Sequence, residues 1–280
     1  MPSIVLSLSC PDRPGIVHGM TGLLVAHGGN ITESQQYGDP DTGRFFLRIE
    51  ADIPGDIGAL QGPVDELARQ FDGRIDLTQA NRPIKTVIMG STTSHCLTDL
   101  LYLQRMGRLP IEVTRVVSNH DRLRPIADFY GAPYTHIPFS KDRRAEAEAE
   151  LLGIVEDTGA ELIVLARYMQ VLSPELCHRM AGSIINIHHS FLPSFKGARP
   201  YQQAHDRGVK IIGATAHYVS EDLDEGPIIE QDVERVSHAL SAADLQAIGE
   251  NVERRVLARA VKWHAEGRVL RNGERTVVFP

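Results

Sequence analysis

From residue 85 to residue 188, short apolar runs alternate with longer stretches of helical period, and no other feature of the chain constrains its fold as tightly. The runs at 85–89, 111–118, 134–138, 162–166 and 184–188 are largely continuous in their apolar character, as expected of strands covered on both faces. Polar–apolar stretches such as 143–158 supply the covering helices. Repeated β-α order with buried strands implies an α/β, doubly wound, mostly parallel Rossmann-like sheet. After Ile212 the pattern turns to alternation (Thr215, His217, Val219, then Ile228, Glu230, Asp232), which predicts an antiparallel edge. A helix is expected over 241–267, with Leu245, Ile248, Val252, Val256 and Ala260 on one face, and Arg271-Asn272-Gly273-Glu274 reads as a terminal hairpin turn.

The first eighty residues follow a different order. Strands are expected at 4–10, 30–37, 43–51 and 74–78, with helices at 16–27 and 62–71. Pro11-Asp12-Arg13-Pro14-Gly15 turns the chain into the first helix, and Gly28-Gly29 stops it. The order β-α-β-β-α-β is the ferredoxin-like unit. Ala80-Asn81-Arg82-Pro83 marks the break, so domains are expected at 1–80 and 85–280 with a linker at 81–84.

Composition narrows the function classes. The net charge is −7 and no lysine–arginine block is interleaved with aromatics, which argues against nucleic acid as a partner. No apolar stretch approaches the roughly 18 residues of a spanning helix. The start of the chain lacks a charged leader and enters an alternating pattern, so a cytoplasmic location is expected. Cys10, Cys96 and Cys177 are scattered without metal spacing and read as small buried hydrophobes.

In open α/β sheets ligands bind beyond the carboxyl ends of the strands. The richest such end is Ile185-Asn186-Ile187-His188-His189-Ser190. Side chains of a strand repeat every second residue, so Asn186 and His188 share a face. An amide donor beside an imidazole suits a reaction through an oxyanion, although a polar strand end with a helix cap accounts for the same residues equally. His188 and His189, as consecutive strand residues, are expected on opposite faces, against a shared metal. Asp224, before Glu225-Gly226-Pro227, sits where a tight turn can hold a carboxylate inward, while Glu221 and Glu225 read as a solvated turn. Gly90-Ser91-Thr92-Thr93-Ser94-His95 lacks the spaced glycines of a phosphate loop and reads as a polar loop before a helix.

Asn186-Ile187-His188, Ser190-Phe191-Leu192-Pro193 and the later Asp224 resemble the Asn, His and Asp set of the 10-formyltetrahydrofolate-dependent formyltransferase fold. The segment from Leu165 to Pro174 is similar to that fold's folate-binding segment. Residues 185–232 and the stretch from Ser94 resemble the formyltetrahydrofolate deformylases, and the N-terminal part resembles an ACT domain, a ferredoxin-like amino-acid-sensing module. The resemblance implies hydrolysis of 10-formyltetrahydrofolate to tetrahydrofolate and formate, balancing the one-carbon folate pool and supplying formate for purine synthesis. It assigns catalysis to Asn186, His188 and Asp224. It places the folate against Leu165, Met169, Gln170, Leu172, Val219, Ser220, Glu221 and Asp222, largely through backbone hydrogen bonds. It implies no bound cofactor and no metal.

By the same resemblance Asp12, Gly15, Asn30 and Ile31 lie where ACT modules take an amino-acid effector, glycine or methionine being apt for a one-carbon enzyme. A plain structural turn explains these residues nearly as well. Pairing of ACT modules implies a homo-oligomer, at least a dimer. Two alternatives remain: formyl transfer to an amine such as glycinamide ribonucleotide, and a non-catalytic folate or amino-acid sensor. The missing phosphate loop disfavours the first, and the presence of Asn186, His188 and Asp224 disfavours the second.

Overall fold

The computed structural model describes residues 2–192 and 200–280, so Pro193 of the sequence motif lies outside the described residues. Two compact units are present, one of Met1–Arg82 with Trp263–Pro280 and one of Pro83–Lys262. The first unit begins β1 (Ser3–Pro11), α1 (Ile16–Ala26), β2 (Asn30–Asp39), β3 (Arg44–Asp52), α2 (Gln61–Phe71), β4 (Arg74–Gln79). Its antiparallel sheet has the order β2-β3-β1-β4. The alternation of Ile4, Leu6 and Leu8 puts all three on one face, where Met20 and Leu24 of α1 and Val64 and Phe71 of α2 cover them. This is the ferredoxin-like order read from the sequence.

The second unit holds β5 (Ile84–Gly90), α3 (His95–Arg105), β6 (Ile111–Ser118), α4 (Arg124–Tyr130), β7 (Tyr134–His136), α5 (Arg144–Thr158), β8 (Leu162–Leu165), α6 (Pro174–Arg179), β9 (Ile184–His188), α7 (Pro200–Asp206), β10 (Ile211–Tyr218) and β11 (Ile228–Arg235). The sheet order is β11-β10-β9-β8-β5-β6-β7. The five strands from β9 to β7 in that order are parallel, and β10 and β11 form the antiparallel edge. Two strands stop earlier than their apolar runs. In β7, Ile137 still donates to the Ser118 carbonyl, but Pro138 has no N–H to continue the ladder. At β8, Arg167 adopts φ +65°, a left-handed conformation that turns the chain out of the sheet.

The chain ends with α8 (Ala242–Ala265), β12 (Val269–Asn272) and β13 (Arg275–Val278), and the division between units falls within α8. The terminal hairpin, expected with the second domain, groups with the first unit. The reason is the second face of the first sheet. Phe46 is fully buried there with Leu270 and Phe279. Arg48, two residues on and 2% exposed, pairs with Glu33 at 2.6 Å and Glu50 at 3.1 Å and donates to the Glu266 carbonyl. Asn272 Nδ2 donates to Asp39 Oδ2 at 2.6 Å. Among the described residues no helix is long and apolar enough to cross a membrane.

Candidate functional site

The carboxyl ends of β8 and β9 open onto a cavity of about 220 Å³, and the loop after β10 closes its far wall. Register sets the polar groups: β9 pairs with β10 so that Asn186 lies opposite His217. Asn186 and His188 share a face, as the period of two requires. The loop carrying Asp224 folds onto the end of β10 because residue 226 is glycine; a Cβ there would stand 1.8 Å from the Tyr218 carbonyl oxygen. Asp224 itself has φ +59°.

These constraints bring three sequence-predicted residues together and add a fourth. His188 Nδ1 lies 3.2 Å from Asp224 Oδ2. His217 Nε2 lies 3.7 Å from the other carboxylate oxygen and 3.2 Å from Asn186 Nδ2, while its Nδ1 donates to the Tyr218 carbonyl at 2.9 Å. Burial opposes the charge on Asp224, but the imidazoles of His188 and His217 outweigh it and hold its carboxyl well below the usual carboxylate range. His188 is buried, and its Nε2 has no hydrogen-bond partner among the described residues. An ionised carboxylate, an imidazole fixed by one nitrogen and an oriented amide can polarise a carbonyl, stabilise an oxyanion and move a proton.

Leu165, Met169, Gln170, Leu172, Val219, Ser220, Glu221 and Asp222 all line this cavity. Leu165 and Leu172 are buried at its floor, whereas Met169 is exposed at its mouth. Some backbone donors are already committed: Val219 N–H to the Ile184 carbonyl and Met169 N–H to Ser91 Oγ at 3.0 Å. Ser91 thus ties the loop after β5 to the loop after β8. Glu221, read as solvated, is 56% exposed and 3.9 Å from His178.

The expected opposition of His188 and His189 is overturned. Their rings stack at 4.7 Å and 22°. β9 ends at His188, so the alternation of a strand no longer governs the next side chain. Arg167 Nη1 donates to His189 Nδ1 at 2.6 Å, and burial, with the Arg167 charge, lowers the His189 pKa to about 4. His217, Arg167, His189 and Glu253 were not singled out for roles from the sequence. Only the positive φ of Arg167 and the β9–β10 register reveal the first two, and neither is written in residue spacing. Cys96 lies with His95 and Glu253, their possible donor atoms all within 4.8 Å. Burial pushes its thiol well up, so it stays protonated, and both Glu253 oxygens already accept hydrogen bonds from His95 and Tyr201.

The residues proposed for an effector do not converge within one chain. Asp12 and Gly15 precede α1, while Asn30 and Ile31 follow it, and eleven helical residues span about 16 Å. Asn30 pairs with Asp52, at the opposite end of the sheet from Pro11.

Residues 84–261 match the formyl transferase family and residues 4–61 match the ACT domain family. A formyltetrahydrofolate deformylase of Corynebacterium sp. is 52% identical over 280 residues, covering 98% of this chain and 97% of that protein. The crystal structure of a formyltetrahydrofolate deformylase from Burkholderia mallei is 47% identical with a TM-score of 0.96, covering 100% of both chains. A glycinamide ribonucleotide transformylase from Symbiobacterium toebii is 29% identical with a TM-score of 0.67, covering 73% of this chain and 98% of that one.

Proposed function

The chain belongs to the formyltetrahydrofolate deformylases, a hydrolase family, and from that membership we propose that it hydrolyses 10-formyltetrahydrofolate through Asn186, His188 and Asp224. The observation that carries this assignment is the convergence of the three on one wall of the β8–β9 cavity, with His188 held by Asp224 through Nδ1.

The reaction breaks the bond from the formyl carbon to the folate nitrogen and forms one to a water oxygen. Asn186 donates from its amide to the formyl oxygen as negative charge develops there. His217 orients that amide: its Nδ1–H is given to the Tyr218 carbonyl, and its Nε2 lies 3.2 Å from Asn186 Nδ2, which leaves the amide turned to the substrate. His188 presents Nε2 to the reacting atoms, takes a proton from the attacking water and returns it to the departing nitrogen. Asp224, whose proton affinity is low, suits the task of holding His188 and the water rather than accepting the water's proton. The apolar floor of Leu165 and Leu172 receives the pterin ring, with polar edges served by the segments at 169–172 and 219–222.

In the ACT unit, an amino-acid site built from Asp12, Gly15, Asn30 and Ile31 requires two copies of the chain, because one chain holds the pairs at opposite ends of its sheet. Glycine or methionine fits as effector, and the enzyme is at least a dimer. The formate produced supports purine synthesis, and the tetrahydrofolate returns to the one-carbon pool.

The test is formate release from 10-formyltetrahydrofolate with no amine present. Continuous release by the wild-type protein, lost in Asn186→Ala and His188→Ala, is expected. Near-native release in either variant contradicts the assignment.

A further inference from the structure

A second cavity, of about 480 Å³, lies in the same unit. Among the described residues lining either, Arg167 is the one common to both. Its side chain is held by a buried cluster that the hydrolytic chemistry does not use. Glu253 of α8 is 1% exposed; its Oε2 accepts from His95 Nε2 at 2.8 Å and pairs with Arg167 Nε at 3.4 Å, and its Oε1 accepts from the Tyr201 hydroxyl at 2.6 Å. Arg167 then reaches His189, which stacks on His188.

Three costs are met to hold this arrangement. Arg167 keeps a left-handed backbone, φ +65°, which a side chain disfavours. The fully buried Glu253 carboxylate is paired with a guanidinium that is itself only 16% exposed. Helix α8 gives up a side chain at Gly249, one turn before Glu253, because a Cβ there would stand 2.1 Å from the Tyr201 hydroxyl oxygen. None of this is needed to place Asn186, His188 or Asp224. A fold that also serves a glycinamide ribonucleotide transformylase must admit a bulky acceptor to the formyl carbon, whereas hydrolysis needs only water.

We propose that Arg167, anchored by Glu253, is the acceptor-specificity residue: it closes the second cavity off from the formyl carbon and so excludes primary amines in favour of water. The proposal rests on the placement of the reacting centre at Asn186, His188 and Asp224. Water reaches that centre from the folate side. An amine entering through the second cavity meets a guanidinium that fills the passage and repels its ammonium form. With Arg167 absent, the amine nitrogen attacks the formyl carbon instead. The bond to the folate nitrogen breaks, that nitrogen takes the proton the amine loses, and the products are tetrahydrofolate and a formamide.

The experiment compares the wild-type chain with Arg167→Gly and Arg167→Lys, giving each 10-formyltetrahydrofolate and graded glycinamide. Formate and N-formylglycinamide are quantified separately, and their ratio is the readout. Arg167→Gly suits the left-handed backbone, so it is expected to fold, which a thermal melt checks. The ratio of formamide to formate is expected to rise at least tenfold in Arg167→Gly and by less in Arg167→Lys, while the wild type makes formate almost alone. Glu253→Gln, which loosens the anchor, shifts the ratio in the same direction. A purely structural role lowers both products together and leaves their ratio unchanged, which overturns the proposal. A folded Arg167→Gly that makes neither product overturns it too, by placing Arg167 in the hydrolysis itself. Absence of formate from the wild type refutes the assigned hydrolysis instead, a separate failure.

Discussion

Arg48 in the first unit and Arg167 in the second are both arginines paired with carboxylates, yet their settings differ in every respect that bears on function. Arg48 lies within a strand, is 2% exposed, and meets Glu33, Glu50 and the Glu266 carbonyl. Arg167 stands two residues past the end of β8 at Leu165, in a left-handed conformation, and lines two cavities. The first arrangement satisfies a charge that the terminal hairpin covers. The second holds a charge against strain at the carboxyl end of a parallel sheet, where ligands bind. A buried ion pair alone therefore does not mark a site; strain and an open cavity beside it do.

The sharpest way to break the contrast is to remove a group from each setting. Asp224→Asn is expected to lower kcat by about 10³-fold, since general acid–base chemistry contributes about 10²–10⁴, with a lesser loss of stability as the charge held by His188 and His217 is removed. Steady-state kinetics beside a thermal melt checks this. Arg48→Met should do the reverse, costing about 1–3 kcal/mol by leaving Glu50 and the Glu266 carbonyl without their buried donor, while Glu33 keeps Arg268 at 3.1 Å. Denaturant unfolding reads that loss, and activity per folded molecule should persist.

A pH experiment sharpens it further. His189 has a pKa near 4 in the fold against about 6.5 unfolded, so between those values the unfolded chain binds more protons. Stability should therefore fall as pH drops from about 6.5 to about 4, by at most about 3 kcal/mol, and be unaffected above that window. His189→Gln should flatten this limb in urea melts at several pH values. Asp224 has the same sign in a more acidic window: its depressed pKa stabilises the fold above the ordinary carboxylate range, and that share is lost as pH falls from there through its lower folded value. In Arg167→Gly, relief of the left-handed backbone, about 1 kcal/mol, works against the loss of the guanidinium partner of the buried Glu253, so the thermal melt reads the balance of the two.

Much of this architecture is legible in the chain itself. The apolar runs of β5, β8 and β9 announce a buried parallel sheet, and the period of two places Asn186 beside His188. What the sequence conceals is long-range. Asp224 reaches His188 only because Gly226 packs against the Tyr218 carbonyl, and His217 reaches Asn186 only through the β9–β10 register. The stacking of His189 on His188 escapes a rule that stops with the strand. Likewise, nothing near Arg271 signals that the terminal hairpin covers Phe46 and Arg48, some 220 residues earlier in the chain (a contact such as Arg48 to Glu266 spans 218).

The most direct test separates binding from chemistry at the β9 wall. Tetrahydrofolate affinity and single-turnover formate release at saturating 10-formyltetrahydrofolate are measured for the wild type, Asn186→Ala and Asp224→Asn. Affinity within a few fold of wild type, with release slowed by about 10²–10³-fold or more, is expected of groups that act on the transition state. Affinity lost in both variants, with near-native release once saturated, would make this wall a binding surface and contradict the catalytic assignment.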